Sequence, residues 1–577
     1  MTSDLNQVRA NISTARGVIE RIRHVSGAPG IAIGIIHGGA IIHEDYHGHR
    51  DVQLGLPVNR DTIFHVASLT KGITAPAVAI LVEHGDLEWD TPVGDILQMN
   101  DAEKAKITVA DLMSHRTGVT WADALYLQSN NNILLPKSES LRTFEYLRMV
   151  AQPRSQFLYN NHGYNIPGLI IEALSKQPYG EFVKQKIFDP LGMTRTSTAQ
   201  PNDPNVAIPY NILSDGTPFQ IPFSESSDET MMFSGIAVRT CMADLLRLYH
   251  AYLQAMKPFL PENMSTESSS SSLLTGLRKG FCNWFSWLSD KSSLKSKDAY
   301  PDDSKSGPSV IREVQELLRP HITRSSETLY EQTYALGWHR SQLPAKLDFG
   351  WNSWMISSMP LLGSALQGKL AIWHGGNMPG TTAAVILLPE TATGVVVLQN
   401  SLGLCDAADL ISQLLIDCLF AGRPQHDYVT LANEAALNGR QRMDQVQSQL
   451  DREQQKGTTH RSLEDYIGVY ENAIKNWSIE IGIADESNLF LRFQRRLDEE
   501  YKLRHYNHDV FVWNISYDDL VKRAQYCRPY SYYKFEFEPG SDGSVSFLRW
   551  RHDPYVPEGE IFEKAEASDA AYWSKLP

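Results

Sequence analysis

Ser68 and Lys71 stand three residues apart in the stretch Phe64-His65-Val66-Ala67-Ser68-Leu69-Thr70-Lys71, where a strand-like run gives way to a helical one. On a helix, residues i and i+3 share a face, with Cβ atoms about 5–6 Å apart, so a lysine amine placed there reaches the serine hydroxyl. A serine is a weak nucleophile until a neighbour takes its proton. A lysine takes it only when neutral, so its pKa must fall from about 10.4 towards the working pH. Burial lowers it in that direction. The chemistry this pair offers is nucleophilic attack on a carbonyl.

Two later segments offer the remaining groups. In Phe157-Leu158-Tyr159-Asn160-Asn161, a loop before a helical pattern, a tyrosine and an asparagine lie two apart. A tyrosine beside a cationic lysine can accept or relay a proton. The Asn161 amide can hydrogen-bond both the lysine and a substrate carbonyl. Further on, His374-Gly375-Gly376-Asn377 joins strand-like runs. Two glycines let the backbone approach a ligand closely. That suits an edge strand offering the Asn377 N–H to an oxyanion, together with the N–H of Ser68.

Other reactive-looking patterns lack a supporting context. His43-Glu44-Asp45-Tyr46-His47 matches HExxH, but it lies in a strand-like run. Four strand residues separate the histidines by about 13 Å, too far to share a zinc ion. Ser292 and Lys295 repeat the Ser-x-x-Lys spacing in a polar stretch with no apolar surface to lower a lysine pKa. His37-Gly38-Gly39 reads as a hairpin turn between strands 31–36 and 40–46.

The elements that must position these groups follow from periodicity. Helical spacing covers 4–24. A helix runs from the Ser68 turn to about 85, with Pro76 as a kink or an early-turn residue. Further helices begin at Ala110 and cover 165–174, 179–191 and 407–420, and a polar helix covers 429–456. Strands are expected at 369–373, 383–388 and 394–399. From residue 465 onward, short alternating runs separated by turn residues predict a small all-β barrel. Residues 262–308, serine-rich and polar around Phe281, Trp284, Phe285 and Trp287, read as a mostly disordered insertion.

A chain of 577 residues is too long for one core and suggests two or three domains. A net charge of −14 argues against nucleic acid or an anionic membrane surface as partner. No apolar run reaches the roughly 20 residues of a membrane span, and the N-terminal stretch has no apolar signal core. Five scattered cysteines without CxxC spacing read as free thiols. The expectation is a soluble cytoplasmic protein.

The three motifs, in this order and spacing, resemble those of the serine β-lactamase and penicillin-binding-protein superfamily. The resemblance is to its class C β-lactamase-related esterases and acyltransferases. The flanks TVADLMSHRTGV, SGIAVRTCMADLLRLYHAYL and WHGGNMPGTTAAVILLPE read like that branch too, from about residue 6 to about 422. The resemblance implies an α+β, β-lactamase/transpeptidase-like fold for residues 1–425: an antiparallel sheet flanked by helices, plus an all-helical lobe. The polar helical pattern makes 426–460 a helical linker, and the β-rich residues 461–577 resemble the lipocalin-like barrel found behind some members. The resemblance also implies an acyl-enzyme on Ser68, with Lys71 and Tyr159 as proton-transfer groups. Asn161, His374, Gly375 and Gly376 would bind substrate, and the N–H groups of Ser68 and Asn377 would form the oxyanion hole. No metal or organic cofactor is called for.

The substrate expected is a small acyl ester or thioester of secondary metabolism, with an acyl-carrier protein or CoA thioester as a suitable donor. The same residues would serve a peptidase or amidase acting on D-amino-acid-like substrates. A third reading is a catalytically silent binding or scaffold protein whose role lies in the barrel. His374 stands where the penicillin-recognising members carry lysine. A fixed cation for a substrate carboxylate is therefore missing from that motif, and β-lactamase activity should be weak.

Overall fold

The computed structural model describes residues 2–260, 309–325 and 327–566. The insertion expected at 262–308, including Ser292 and Lys295, lies outside the described residues.

Nine antiparallel strands form the main sheet. Their order is Leu56–Pro57, Ala40–Asp51, Gly30–His37, Thr393–Gln399, Thr381–Leu388, Leu370–Met378, His339–Gln342, Gln332–Tyr334 and Ile322–Thr323. Early and late parts of the chain meet at its centre, where Ile31 pairs with Gln399 and Ile33 with Val397. The turn expected at His37-Gly38-Gly39 is a two-glycine hairpin, with φ of 59° at Gly38 and 77° at Gly39. Both glycines take the left-handed conformation that such tight hairpins demand.

The central strands are apolar on both faces because both faces are covered. Ile31, Ile33, Ile35, Val395 and Val397 pack with the helices Arg16–Ser26 and Ala407–Ala421 on one side. Ala32, Ile36, Val396 and Leu398 belong to the core on the other side, shared with the helical lobe. This alternation is the period-two pattern of a strand applied to a sheet buried on both sides.

The helix Lys71–His84 is buried from Lys71 to Leu81 and contains Pro76 in its interior. Proline has no N–H, so the Gly72 carbonyl four residues earlier loses its helical partner. The Tyr252 hydroxyl donates to that carbonyl at 2.6 Å, and the Tyr164 hydroxyl donates to the carbonyl of Lys71 at 3.0 Å. Tertiary tyrosines thus complete the hydrogen bonding of the helix that carries the lysine.

After a long helix, Tyr428–Glu453, eight strands from Gly468–Glu471 to Glu560–Lys564 close into a barrel. The helix bridges the two bodies. Tyr428, Ala432 and Ala435 join the core behind the sheet, while Met443, Val446 and Leu450 join the barrel's core. The barrel also grips the 120–132 loop of the helical lobe. Trp477 Nε1 donates to the Leu125 carbonyl at 2.9 Å, the Ser129 hydroxyl donates to Glu499 at 2.8 Å, and Asp553 accepts from the Thr120 hydroxyl at 2.7 Å and the Ala122 N–H at 2.8 Å.

Among the described residues, Cys241, Cys405, Cys418 and Cys527 are free and buried. No described helix is long and apolar enough to cross a membrane.

Candidate active site

Ser68 sits in the tight 3-10 turn Ala67–Thr70, between the short strand Phe64–His65 and the helix Lys71–His84. Side chains at i and i+3 eclipse in such a turn, which brings Lys71 Nζ to 3.1 Å from Ser68 Oγ. Ala67 holds a left-handed φ of 45°, a conformation that costs an L-residue roughly 1–2 kcal/mol. This bend sets the serine at the mouth of the helix, half-exposed while Lys71 is wholly buried.

Burial lowers the Lys71 pKa to about 7, against a smaller opposing pull from the Asp123 carboxylate. Nζ also lies 2.9 Å from Asn161 Oδ1 and 3.2 Å from the Gly235 carbonyl. A neutral lysine has two N–H donors and one lone pair. With Asn161 and Gly235 taking the donors, the lone pair is left for the Ser68 proton. The Tyr159 hydroxyl reaches Ser68 Oγ from the other side at 3.0 Å. Burial drives the Tyr159 pKa well above its ordinary value, with the Ser68 hydrogen bond opposing. The phenol therefore stays protonated, and its O–H donates to the serine. A consistent chain results, from Tyr159 O–H to Ser68 Oγ and from Ser68 O–H to Lys71.

Asn160 caps the helix Asn161–Ser175 by accepting from the Gly163 N–H, which fixes Tyr159 just before the helix and Asn161 at its first position. The neutral His115 ring lies 4.2 Å, centroid to centroid, from the Tyr159 ring. Its Nδ1 accepts from the Asn160 N–H at 3.1 Å.

The third motif lies within one continuous strand, Leu370–Met378, rather than joining two runs. It is an edge only locally. The neighbour His339–Gln342 ends opposite Trp373, so residues 374–378 pair on one side alone, with Thr381–Leu388. The tight turn after Met378 closes the hairpin on a Met378–Thr381 pair. Hydrogen bonding alternates along an antiparallel pair, which leaves Asn377 facing the open side. The glycines are needed for close approach. A Cβ on Gly376 would stand 2.3 Å from the Val66 carbonyl oxygen, beside the Ser68 turn, and one on Gly375 would stand 2.7 Å from the Phe349 carbonyl.

A family model described as Beta-lactamase matches residues 16–287, and one described as a domain of unknown function matches residues 452–564. This matched part of the chain belongs to the serine β-lactamase superfamily. An unguisins hydrolase of Aspergillus campestris is 23% identical over 65% of this chain and 58% of its own length. Esterase EstB of Burkholderia gladioli is 26% identical over 47% of this chain and 76% of its own length. The chain spans less than two thirds of the length of the unguisins hydrolases it matches. The octameric penicillin-binding protein homologue of Pyrococcus abyssi shares the fold, with a TM-score of 0.52 at 19% identity over 96% of this chain and all of the other.

In this superfamily site the third motif supplies no cation. His374 is buried, and burial holds its pKa down near 3, with the Lys71 charge adding to the effect. Nδ1 lies 2.6 Å from the Gly375 carbonyl, so it carries the proton. Nε2, 3.1 Å from the Tyr334 hydroxyl, accepts. His374 makes no hydrogen bond to Tyr159; their ring centroids are 6.3 Å apart.

Four groups of this superfamily site did not stand out in the sequence. Asp123 Oδ2 and the Tyr126 hydroxyl accept from Asn161 Nδ2, at 3.0 and 3.3 Å. The Gly235 carbonyl accepts from Lys71. Tyr526, from the barrel, donates its hydroxyl proton to the Asn377 carbonyl at 3.1 Å. The only signal for Asp123 was a lone acid in an otherwise apolar run, Trp121 to Leu127.

Proposed function

We propose that this protein is a serine hydrolase that forms an acyl-enzyme on Ser68, with a small carboxylic ester as its preferred class of substrate. The observation that carries the proposal is the environment of Lys71: buried, lowered to about 7, with both N–H donors engaged and Ser68 Oγ 3.1 Å away. That arrangement supports a neutral lysine as general base near neutral pH.

Ser68 Oγ attacks the carbonyl carbon, and its proton passes to Lys71 Nζ. The N–H groups of Ser68 and Asn377 hold the oxyanion; one such donor is worth roughly 3–4 kcal/mol in the transition state. The carbonyl re-forms as the C–O bond to the leaving alkoxide breaks. Tyr159 donates its proton to that oxygen and is reprotonated from Lys71. Water, or an alcohol in an acyltransferase, then attacks the acyl-enzyme with the proton transfers reversed. Asn161 orients Lys71, and the glycines at 375 and 376 let the strand close on the serine turn. Thioester donors, including CoA or carrier-protein thioesters, fit the same chemistry, as does a role in secondary metabolism. The esterase and hydrolase relatives support the hydrolytic reading.

A fluorophosphonate probe tests the proposal. Wild type is expected to label at one site and Ser68→Ala to stay unlabelled. Equal labelling of both, or none of wild type, would remove Ser68 as the nucleophile.

A further inference from the structure

The barrel brings a cation close to the third motif, beside the tyrosine that bonds Asn377. Between the barrel strands Val510–Trp513 and Lys534–Pro539, the chain runs back to the catalytic domain. Tyr526 there bonds the Asn377 carbonyl, on the same open strand edge as the Asn377 N–H. Two residues on, the Arg528 guanidinium lies over three rings. Its Cζ is 4.8 Å from the centroid of Trp121, 5.3 Å from Tyr526 and 5.9 Å from Tyr532. Three aromatic rings thus surround it. Its backbone N–H donates to the buried Tyr533 hydroxyl at 3.2 Å. The Tyr532 hydroxyl is tied to Gln128 of the helical lobe.

Among the described residues, no carboxylate lies within ion-pair distance of Arg528, and its guanidinium donates no hydrogen bond. Arginine's planar fork matches a carboxylate bidentately, and this one is half-buried among aromatic rings. Asp123 feels the charge of Arg528 through space but is bonded to Asn161 instead. Its Oδ1 is buried without a partner among the described residues. Burial raises its pKa to about 7, so near neutrality it only partly offsets the arginine. The third motif, with its neutral His374, offers no competing cation.

We propose that Arg528 is a specificity residue that binds a carboxylate on the acyl part of the substrate, so that the barrel helps to select what Ser68 acylates. The preferred substrate is then a monoester of a dicarboxylic acid, or a similar acyl group ending in a carboxylate. The inference rests on the Ser68 reading but is tested separately from it.

The test compares the p-nitrophenyl monoester of adipic acid with p-nitrophenyl hexanoate, a matched pair differing in the terminal carboxylate. For Arg528→Met, the ratio of kcat/KM for the acid ester to that for the neutral ester is expected to fall about tenfold or more, through KM; Arg528→Lys should restore part of it. A ratio unmoved in Arg528→Met would overturn the proposal. A second measurement needs no turnover. Calorimetric titration of Ser68→Ala with adipate should show binding that the Ser68→Ala, Arg528→Met double variant loses. Equal binding by both, or by neither, would overturn the proposal even if the esterase reading fails for other reasons.

Discussion

Asp123 and Lys71 share one buried site and are joined through a single amide. Asn161 accepts from Lys71 Nζ at 2.9 Å and donates to Asp123 Oδ2 at 3.0 Å. Burial pushes both groups to about 7, the lysine from above and the acid from below. Each then changes charge in the range where the enzyme would work.

The pH dependence follows. The base form of Lys71 is neutral, so kcat/KM for an ester should rise with pH and level off above about 7. Asp123 raises the Lys71 pKa, so Asp123→Asn should move the rising limb to lower pH. An unmoved limb, or one displaced upward, would show that another group governs it. Stability gives a second readout. The Asp123 pKa is raised on folding, so its contribution is fully present below the unfolded carboxylate value near 3.8 and is lost as pH rises through about 7. Chemical denaturation should therefore find Asp123→Asn more stable than wild type above pH 7.

Gly376→Ala should damage the site directly. Its Cβ would stand 2.3 Å from the Val66 carbonyl oxygen, so the strand must withdraw from the Ser68 turn. Overpacking of this kind costs about 1–3 kcal/mol. Fluorophosphonate labelling should slow well beyond any loss of folded protein seen by circular dichroism.

Tyr252→Phe should cost about 1–3 kcal/mol in denaturant unfolding, because it leaves the Gly72 carbonyl opposite Pro76 without its hydroxyl partner. A smaller change would mean that water or a shifted helix serves that carbonyl as well.

The docked barrel should matter to catalysis. Trp477 is 1% exposed and donates to the Leu125 carbonyl in the loop that carries Asp123 and Tyr126. Trp477→Ala should cost about 3–5 kcal/mol of stability. It should also lower kcat/KM in the fraction that remains folded, measured against active-site titre. Full activity per titrated site would show that the barrel's grip on this loop is irrelevant to the chemistry.

The groups on or beside one helix were legible in the sequence, because local spacing encodes their geometry. The three-residue step from Ser68 to Lys71 becomes one eclipsed turn, and Tyr159 and Asn161 flank a single helix cap. The barrel was legible from its alternating runs and turn residues. Groups brought in by tertiary docking were not. Asp123 reaches Asn161 from the 120–132 loop, which is clamped between lobe and barrel, and Tyr526 meets Asn377 across 149 positions of chain. The role of the two glycines was half-visible. Their small size was read as a need for close approach, but it was the end of His339–Gln342 opposite Trp373 that made a continuous interior strand into a local edge. For Tyr159 the sequence offered two roles, acceptor or relay; burial raises its pKa, and a protonated phenol favours a relay that begins as a donor.

The central claim is an acyl-enzyme on Ser68 with Lys71 as its base. It is tested most directly by quenching the reaction of a p-nitrophenyl ester in acid and mapping the mass of the adduct on the digested protein. The account predicts an added acyl group on the peptide carrying Ser68, formed by wild type, lost in Ser68→Ala and formed about 10²–10⁴-fold more slowly in Lys71→Met. An adduct on another residue, or one that forms equally fast without Lys71, would contradict it.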